Sequence, residues 1–152
     1  MKDIKYVYRG NSFQQVDIRP AKYISEYFNL ELDLESEEFY ELRKRNNIVP
    51  FKINESSDAE KEEIQNFFEE NSKTFLFLFK DQELVGSILF FNDYIQSLVV
   101  NRKYQRKGYG SQLTKYAINE ILKSGYSEVH LNILEGNLQA ERFYERIGFI
   151  KN

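Results

Sequence analysis

Residues 101–113 read NRKYQRKGYGSQL, with four cations and two glycines one residue apart, between an apolar run ending at Val100 and a helical pattern. The first turn of a helix carries backbone N–H groups without intrahelical partners and the positive end of the helix dipole. A loop curling onto that turn forms an anion site, and without side chains at Gly108 and Gly110 phosphate oxygens can reach the N–H groups. Gln105-x-x-Gly108-x-Gly110 therefore suits a pyrophosphate, with Arg102, Lys103, Arg106 and Lys107 placed for further phosphate. A dinucleotide fingerprint would need a third glycine where Leu113 stands, and the Gly-x4-Gly-Lys-Ser/Thr nucleotide loop is absent. Two spaced glycines alone read equally well as a tight turn with a solvated basic rim, so the flanking sequence has to decide.

Downstream, Leu113, Ala117 and Ile121 recur every four residues, and Gly125 ends that helix. In SEVHLNIL, Val129, Leu131 and Ile133 alternate with His130 and Asn132, the period of a strand. NLQAERFYERIGF puts Ala140, Phe143, Tyr144 and Ile147 on one helical face, with Gly148 as the stop and Phe149 opening another strand. Upstream, KTFLFLFKDQELVGSILFF predicts a hairpin of strands 74–80 and 84–91 turning at Asp81-Gln82-Glu83, and YIQSLVV predicts a third strand. The order β-β-β-α-β-α-β implies an α/β fold with a mixed sheet, parallel where helices cross over.

The N-terminal half is less periodic. Ser57 and Glu60 form a capping-box pattern before a helix with Ile64, Phe67 and Phe68 on one face, and a weaker helix is predicted over 37–46. QQVDIRPAKYISEYF suggests a strand entering a helix with Pro20 near its first turn, and IKYVYRG a further strand. LELDLESEEFYE carries Glu31, Asp33, Glu35, Glu37, Glu38 and Glu41. Such a run reads first as a solvated helix face and second as a field drawing a cationic amine.

A chain of 152 residues is the length of one domain, read here as 1–152 with helices over about 20–72 and a ligand-binding core over about 73–152. It holds no Cys and one His, which excludes disulfides and thiolate chemistry and argues against any metal site. The N-terminus has no signal-peptide pattern and stretches such as FLFLF are too short to span a bilayer, so a cytoplasmic protein without membrane contact is expected. The net charge of −3 argues against nucleic acid as a partner, although RKYQRK with Tyr104 and Tyr109 for stacking keeps a nucleic-acid module as an alternative.

The loop, followed by Asn137-x-x-Ala140-x-x-Phe143-Tyr144-x-x-x-Gly148-Phe149, resembles the GCN5-related N-acetyltransferase family. The resemblance runs from about Phe75 to Phe149, and VDIRPA at 16–21 is similar to the family's opening strand. It implies acetyl-coenzyme A as the cofactor, its pyrophosphate on Gln105, Arg106, Lys107, Gly108, Tyr109, Gly110 and Ser111. It further implies that the pantetheine arm inserts between two splayed parallel strands, here IQSLVV and EVHLNIL, against the backbone of Leu98, Val99 and Val100. A backbone N–H near Val100 then faces the developing oxyanion.

The reaction implied is direct acetyl transfer to a primary amine of a small molecule or protein. An alkylammonium of pKa roughly 10.4 must lose a proton first, and the leaving thiolate needs one. By resemblance Tyr144 is the acid, with Asn137 and Phe143 beside the cofactor; Asn137 is equally a helix N-cap. Where many family members carry a glutamate, this chain has Gln96 and Ser97, which leaves Glu135 as the substitute base ahead of Asp93 and His130. The missing glutamate keeps open a non-catalytic sensor of coenzyme A thioesters. The sequence stops three residues after Phe149, where the family continues into a final strand, so either the C-terminus is truncated or IKYVYRG or a second copy in a homodimer covers that sheet edge.

Overall fold

A computed structural model describes residues 2–152. The alternating apolar stretches form one seven-stranded sheet in the order β2-β3-β4-β5-β6-β1-β7. Its strands are β1 (Asp3–Tyr8), β2 (Ala21–Lys22), β3 (Phe75–Lys80), β4 (Glu83–Phe91), β5 (Tyr94–Val100), β6 (Val129–Leu134) and β7 (Ile150–Lys151). All pairs are antiparallel except β5 with β6. The helices are α1 (Phe28–Glu38), α2 (Tyr40–Arg45), α3 (Asp58–Glu70), α4 (Tyr109–Lys123) and α5 (Leu138–Ile147).

The sheet separates two apolar layers. On one face Leu113, Ala117, Ile118 and Ile121 of α4 pack with Val85, Ile88 and Leu131; on the other Phe28 and Leu32 of α1 and Phe68 of α3 pack with Phe75, Phe77 and Val99. The hairpin turns at Asp81 and Gln82, both at positive φ (51° and 67°), so its backbone follows the twist of the flanking strands. The capping box is formed in both directions: Glu60 N–H donates to Ser57 Oγ at 3.2 Å and Ser57 N–H to Glu60 Oε1 at 3.1 Å.

The N-terminal strand fills the sheet edge that the sequence left open. β1 lies between β6 and β7, with Tyr6 opposite both Leu131 and Lys151. Tyr6 is fully buried, and its hydroxyl donates to Glu141 Oε1 at 2.8 Å, fastening β1 to α5. Burial and the nearby Glu141 carboxylate push that phenol well above its ordinary range, so it serves only as a donor. From β1 the chain crosses the outside of α4, where Asn119 exchanges two hydrogen bonds with the Phe13 backbone at 2.7 and 2.8 Å.

Two expectations for the N-terminal half are corrected. The strand expected over VDIRPA is reduced to β2 at Ala21–Lys22, and Pro20 does not open a helix: it precedes β2, whose residues pair with Phe77 and Leu76, and the helix begins only at Phe28. A short edge strand tolerates a proline just before it because no ladder N–H is lost there. The predicted helix over 37–46 is split, with α1 ending at Glu38 and α2 starting at Tyr40.

Candidate active site

Beside the single parallel pair the sheet comes apart. β5 and β6 share one register pair, Tyr94 with His130, closed by a 2.7 Å bond from His130 N–H to the Asp93 carbonyl. Beyond it the strands diverge toward their C-terminal ends. A bulge helps to set this: the β4–β5 register shifts between Leu89 and Phe90, so Gln96 is the extra residue on β5.

Backbone alternation identifies which groups line the gap. Asn101 N–H donates to Val85 O in β4 at 2.8 Å, so Asn101 and Val99 turn toward β4 while Leu98 and Val100 turn toward the gap. On β6, His130 N–H points at β5 and Glu135 N–H bonds the Lys2 carbonyl on the far side, so the Asn132 and Leu134 N–H groups face the gap. Val99 is thereby set apart from its two neighbours, with its side chain buried against the α1 layer. Two half-open ladders of backbone donors and acceptors form a slot for an extended, amide-bearing chain, as a sheet edge does for a peptide.

The slot opens onto the glycine loop. Gly108, at φ 85°, is the N-cap residue of α4 and offers no side chain to its first turn. A Cβ on Gly110 would sit 3.3 Å from Val100 Cγ2 and 3.5 Å from Phe143 Cζ, so the missing side chain keeps space between the strand, the helix start and α5. The exposed first-turn N–H groups of Tyr109, Gly110 and Ser111 fit a pyrophosphate, and the slot fits a pantetheine arm. The residues present thus suit acetyl-coenzyme A.

The four loop cations have different surroundings. Lys103 pairs with Glu83 at 2.9 Å, and the Arg102 guanidinium lies 4.0 Å from Glu38. No ion pair holds Arg106 or Lys107 among the described residues, which leaves them for phosphate. The Gln105 amide nitrogen donates to Val100 O at 2.9 Å and Glu38 Oε1 at 3.0 Å, bracing the loop against β5 and α1. Tyr104 is buried and bonded through its hydroxyl to Glu83, so of the two rings considered for base stacking only Tyr109 is partly exposed.

α5 brings the second motif to the same place. Asn137 caps it, its Oδ1 accepting from Ala140 N–H at 3.3 Å. Phe143 borders Gly110, and Tyr144 packs edge-on against Phe143 and Phe149 at ring separations of 4.9 and 5.5 Å. The Tyr144 hydroxyl has no hydrogen-bond partner among the described residues, and burial pushes it well above the ordinary phenol range. It therefore keeps its proton at neutral pH. Glu135 is exposed at the open end of the gap, whereas His130 lies at the closed end, 3.1 Å from Glu128 and 3.8 Å from Asp93.

The acidic run is not a uniform solvated face, which corrects the first reading of it. Glu31, Glu35 and Glu38 share the inner stripe of α1; Glu31 is fully buried, while Asp33 and Glu37 are exposed. Ser87 Oγ donates to Glu31 Oε1 at 2.6 Å, and Oε2 is buried without a donor from another residue. Burial first, then the adjacent Glu35 carboxyl, raises the Glu31 pKa well above the usual range. Burial also raises that of Glu35, against the hydrogen bond from Glu31 and then the pull of Arg43. The recognisable signal was the spacing i, i+4, i+7 beside apolar Phe28 and Leu32.

This burial has a consequence for stability. A carboxyl with a raised folded pKa binds its proton more tightly in the folded chain, so its contribution is present below the unfolded pKa of roughly 4.3 and declines as pH rises toward the folded value. Thermal melts should therefore show the midpoint falling from mildly acidic toward neutral and alkaline pH, and Glu31→Gln should flatten that slope. The lowered carboxyls Glu60, Glu83 and Glu128 act in a separate window, losing their contribution as pH falls below the ordinary carboxylate range.

The profile of the acetyltransferase (GNAT) family matches residues 32–149. N-alpha-acetyltransferase 30 of Xenopus laevis is 35% identical over 80 residues, 47% of this chain and 29% of the relative. N-alpha-acetyltransferase MAK3 of Arabidopsis thaliana is 39% identical over 61 residues, 40% of this chain and 32% of the relative. The chain thus spans about a third or less of the length of these curated relatives. An acetyltransferase from the GNAT family of Colwellia psychrerythraea superposes with a TM-score of 0.72 at 11% identity, covering 98% of this chain and 52% of that one. The paia N-acetyltransferase of Thermoplasma acidophilum, solved with coenzyme A, superposes with a TM-score of 0.66 at 20% identity, covering 87% and 89%. At these identities the two structures speak to the fold.

Proposed function

Because the chain belongs to the acetyltransferase (GNAT) family, we propose that it moves an acetyl group from acetyl-coenzyme A directly to a primary amine, both substrates being held together. The observation that supports this best is the opening between β5 and β6 beside the uncapped glycine start of α4. When bound, the cofactor supplies an activated acyl thioester. The N-terminal turn of α4, with Arg106 and Lys107, would hold the pyrophosphate, and Leu98 and Val100 would hold the arm by backbone hydrogen bonds. Val100 N–H would stabilise negative charge on the acyl oxygen, and Tyr144 would supply the proton that the leaving thiolate needs.

The acceptor approaches from the α1–α2 side, where the carboxyl stripe favours a cation. The names of the curated relatives specify the α-nitrogen, which adds a peptide α-amine to the alkylamines worth trying. Amine-dependent thiol release from acetyl-coenzyme A tests the reading. Release that saturates with one amine class and needs both substrates supports it; cofactor binding without release to any amine favours a sensor of coenzyme A thioesters.

A further inference from the structure

We propose that Glu31 and Glu35, carboxyls one turn apart on the inner stripe of α1, accept the proton that the acceptor ammonium must lose. They would take the place of the strand-borne glutamate that β5 lacks. This inference rests on the acetyltransferase reading above.

The placement carries the argument. Ser87, which holds Glu31 at 2.6 Å, is the register partner of Val99, and the next residue, Val100, turns its N–H into the gap. The pair therefore lies behind the strand segment assigned to the reacting carbonyl. Glu31 is wholly enclosed, with Oε2 left without a donor from another residue, while Glu35 is half-buried and can pass a proton outward. Two carboxylates so close in a dry site do not both ionise, so the pair shares one proton and retains one negative charge. That charge can take up a second proton.

The facing groups permit this role. α2 contributes Arg43, which favours the remaining charge on Glu35, and α1 contributes Glu38, held by Gln105 and Arg102 N–H. The segment after β2 contributes Tyr23, a buried neutral phenol pushed up to about 12. β4 presents Ser87, and β5 has no titratable side chain from Ile95 to Val100. His130 and Asp93 are at the closed end of the gap, away from the loop.

The protons balance. The pair, directly or through water, takes one proton from the ammonium, and the freed nitrogen forms the N–C bond. As the C–S bond breaks, Tyr144 protonates sulfur, and the second nitrogen proton restores the Tyr144 hydroxyl. The products are the amide and the thiol, and the pair releases its extra proton to solvent.

The test uses infrared spectra and two amines. A protonated-carboxyl band should persist at neutral pH in the ligand-free wild type and vanish in Glu31→Gln. With acetyl-coenzyme A, n-butylamine reacts from its ammonium form, whereas hydrazine is a weaker base and largely neutral at mildly alkaline pH. Glu31→Gln and Glu35→Gln should each lower the butylamine-to-hydrazine ratio of kcat/KM by ~10²-fold, the lower end for general base catalysis. Acetyl-coenzyme A affinity should not change. Equal losses with both amines would show a structural role and overturn the proposal, as would unchanged butylamine rates in Glu35→Gln, the half-buried variant that serves if Glu31→Gln fails to fold. A wild type that binds acetyl-coenzyme A but acetylates neither these probes nor any amine of the wider screen, peptide α-amines included, removes the acetyltransferase reading itself, and the proposal with it.

Discussion

Tyr144→Phe should lower kcat by ~10²-fold or more while leaving the acetyl-coenzyme A dissociation constant unchanged, because positioned proton donors contribute roughly 10²–10⁴. The substitution removes one oxygen and keeps the ring that packs against Phe143 and Phe149. No hydrogen bond is sacrificed, since the hydroxyl has no partner among the described residues. Stability should therefore stay near the wild type, because Tyr144 is half-buried and the packing of its ring is kept. Steady-state rates for the best amine, isothermal titration and a thermal melt separate these effects. A kcat within a factor of two of wild type would remove Tyr144 as the acid, while a parallel loss of affinity would recast it as part of the binding wall.

The order of strands and helices from Phe75 onward was legible because each element carries its own period. Leu113, Ala117 and Ile121 form a helical stripe, and Val129, Leu131 and Ile133 form a strand face; both sets are buried as that pattern requires. Gly108 was legible for a different reason: positive φ next to a helix start is a local demand that glycine meets, and the structure places it at 85°. The acidic run was misread because the alternation of Leu30, Leu32 and Leu34 masks the i, i+4, i+7 stripe of Glu31, Glu35 and Glu38. The partner that holds Glu31 inward, Ser87, is 56 residues away in sequence. The splay of β5 from β6 was likewise invisible in side chains. Both strands read as ordinary apolar runs, and the missing pairing is a backbone event set by the Gln96 bulge and by β1 holding β6 on its other edge.

β1 is a case in which the sequence posed the problem and the three-dimensional pairing solved it. IKYVYRG has strand character anywhere, but its register against β6 depends on Tyr6 meeting Leu131 and on the Tyr6 hydroxyl meeting Glu141 across the core. Through that contact the first strand holds both β6 and α5, and hence both the gap and the helix bearing Tyr144. A truncated chain lacking β1 would leave β6, one wall of the gap, without a partner on its other edge.

Gly108→Glu should abolish measurable acetyl-coenzyme A binding while the fold survives. Two local effects oppose each other: an L-residue at φ 85° costs roughly 1–2 kcal/mol, whereas a carboxylate at a helix N-terminus returns about 0.3–1 kcal/mol. Sterics add little, because a Cβ there meets nothing within 4 Å. The net loss is small against the total stability of a domain. For the ligand the same carboxylate is prohibitive, since it competes for the first-turn N–H groups and repels the pyrophosphate that Arg106 and Lys107 attract. At 100 times the dissociation constant, acetyl-coenzyme A should stabilise the wild type by ~2.7 kcal/mol, and the variant should show no shift at that concentration. If the folded variant binds as the wild type does, the pyrophosphate is not at the start of α4, and the basic rim at Arg106 and Lys107 reverts to a solvated turn.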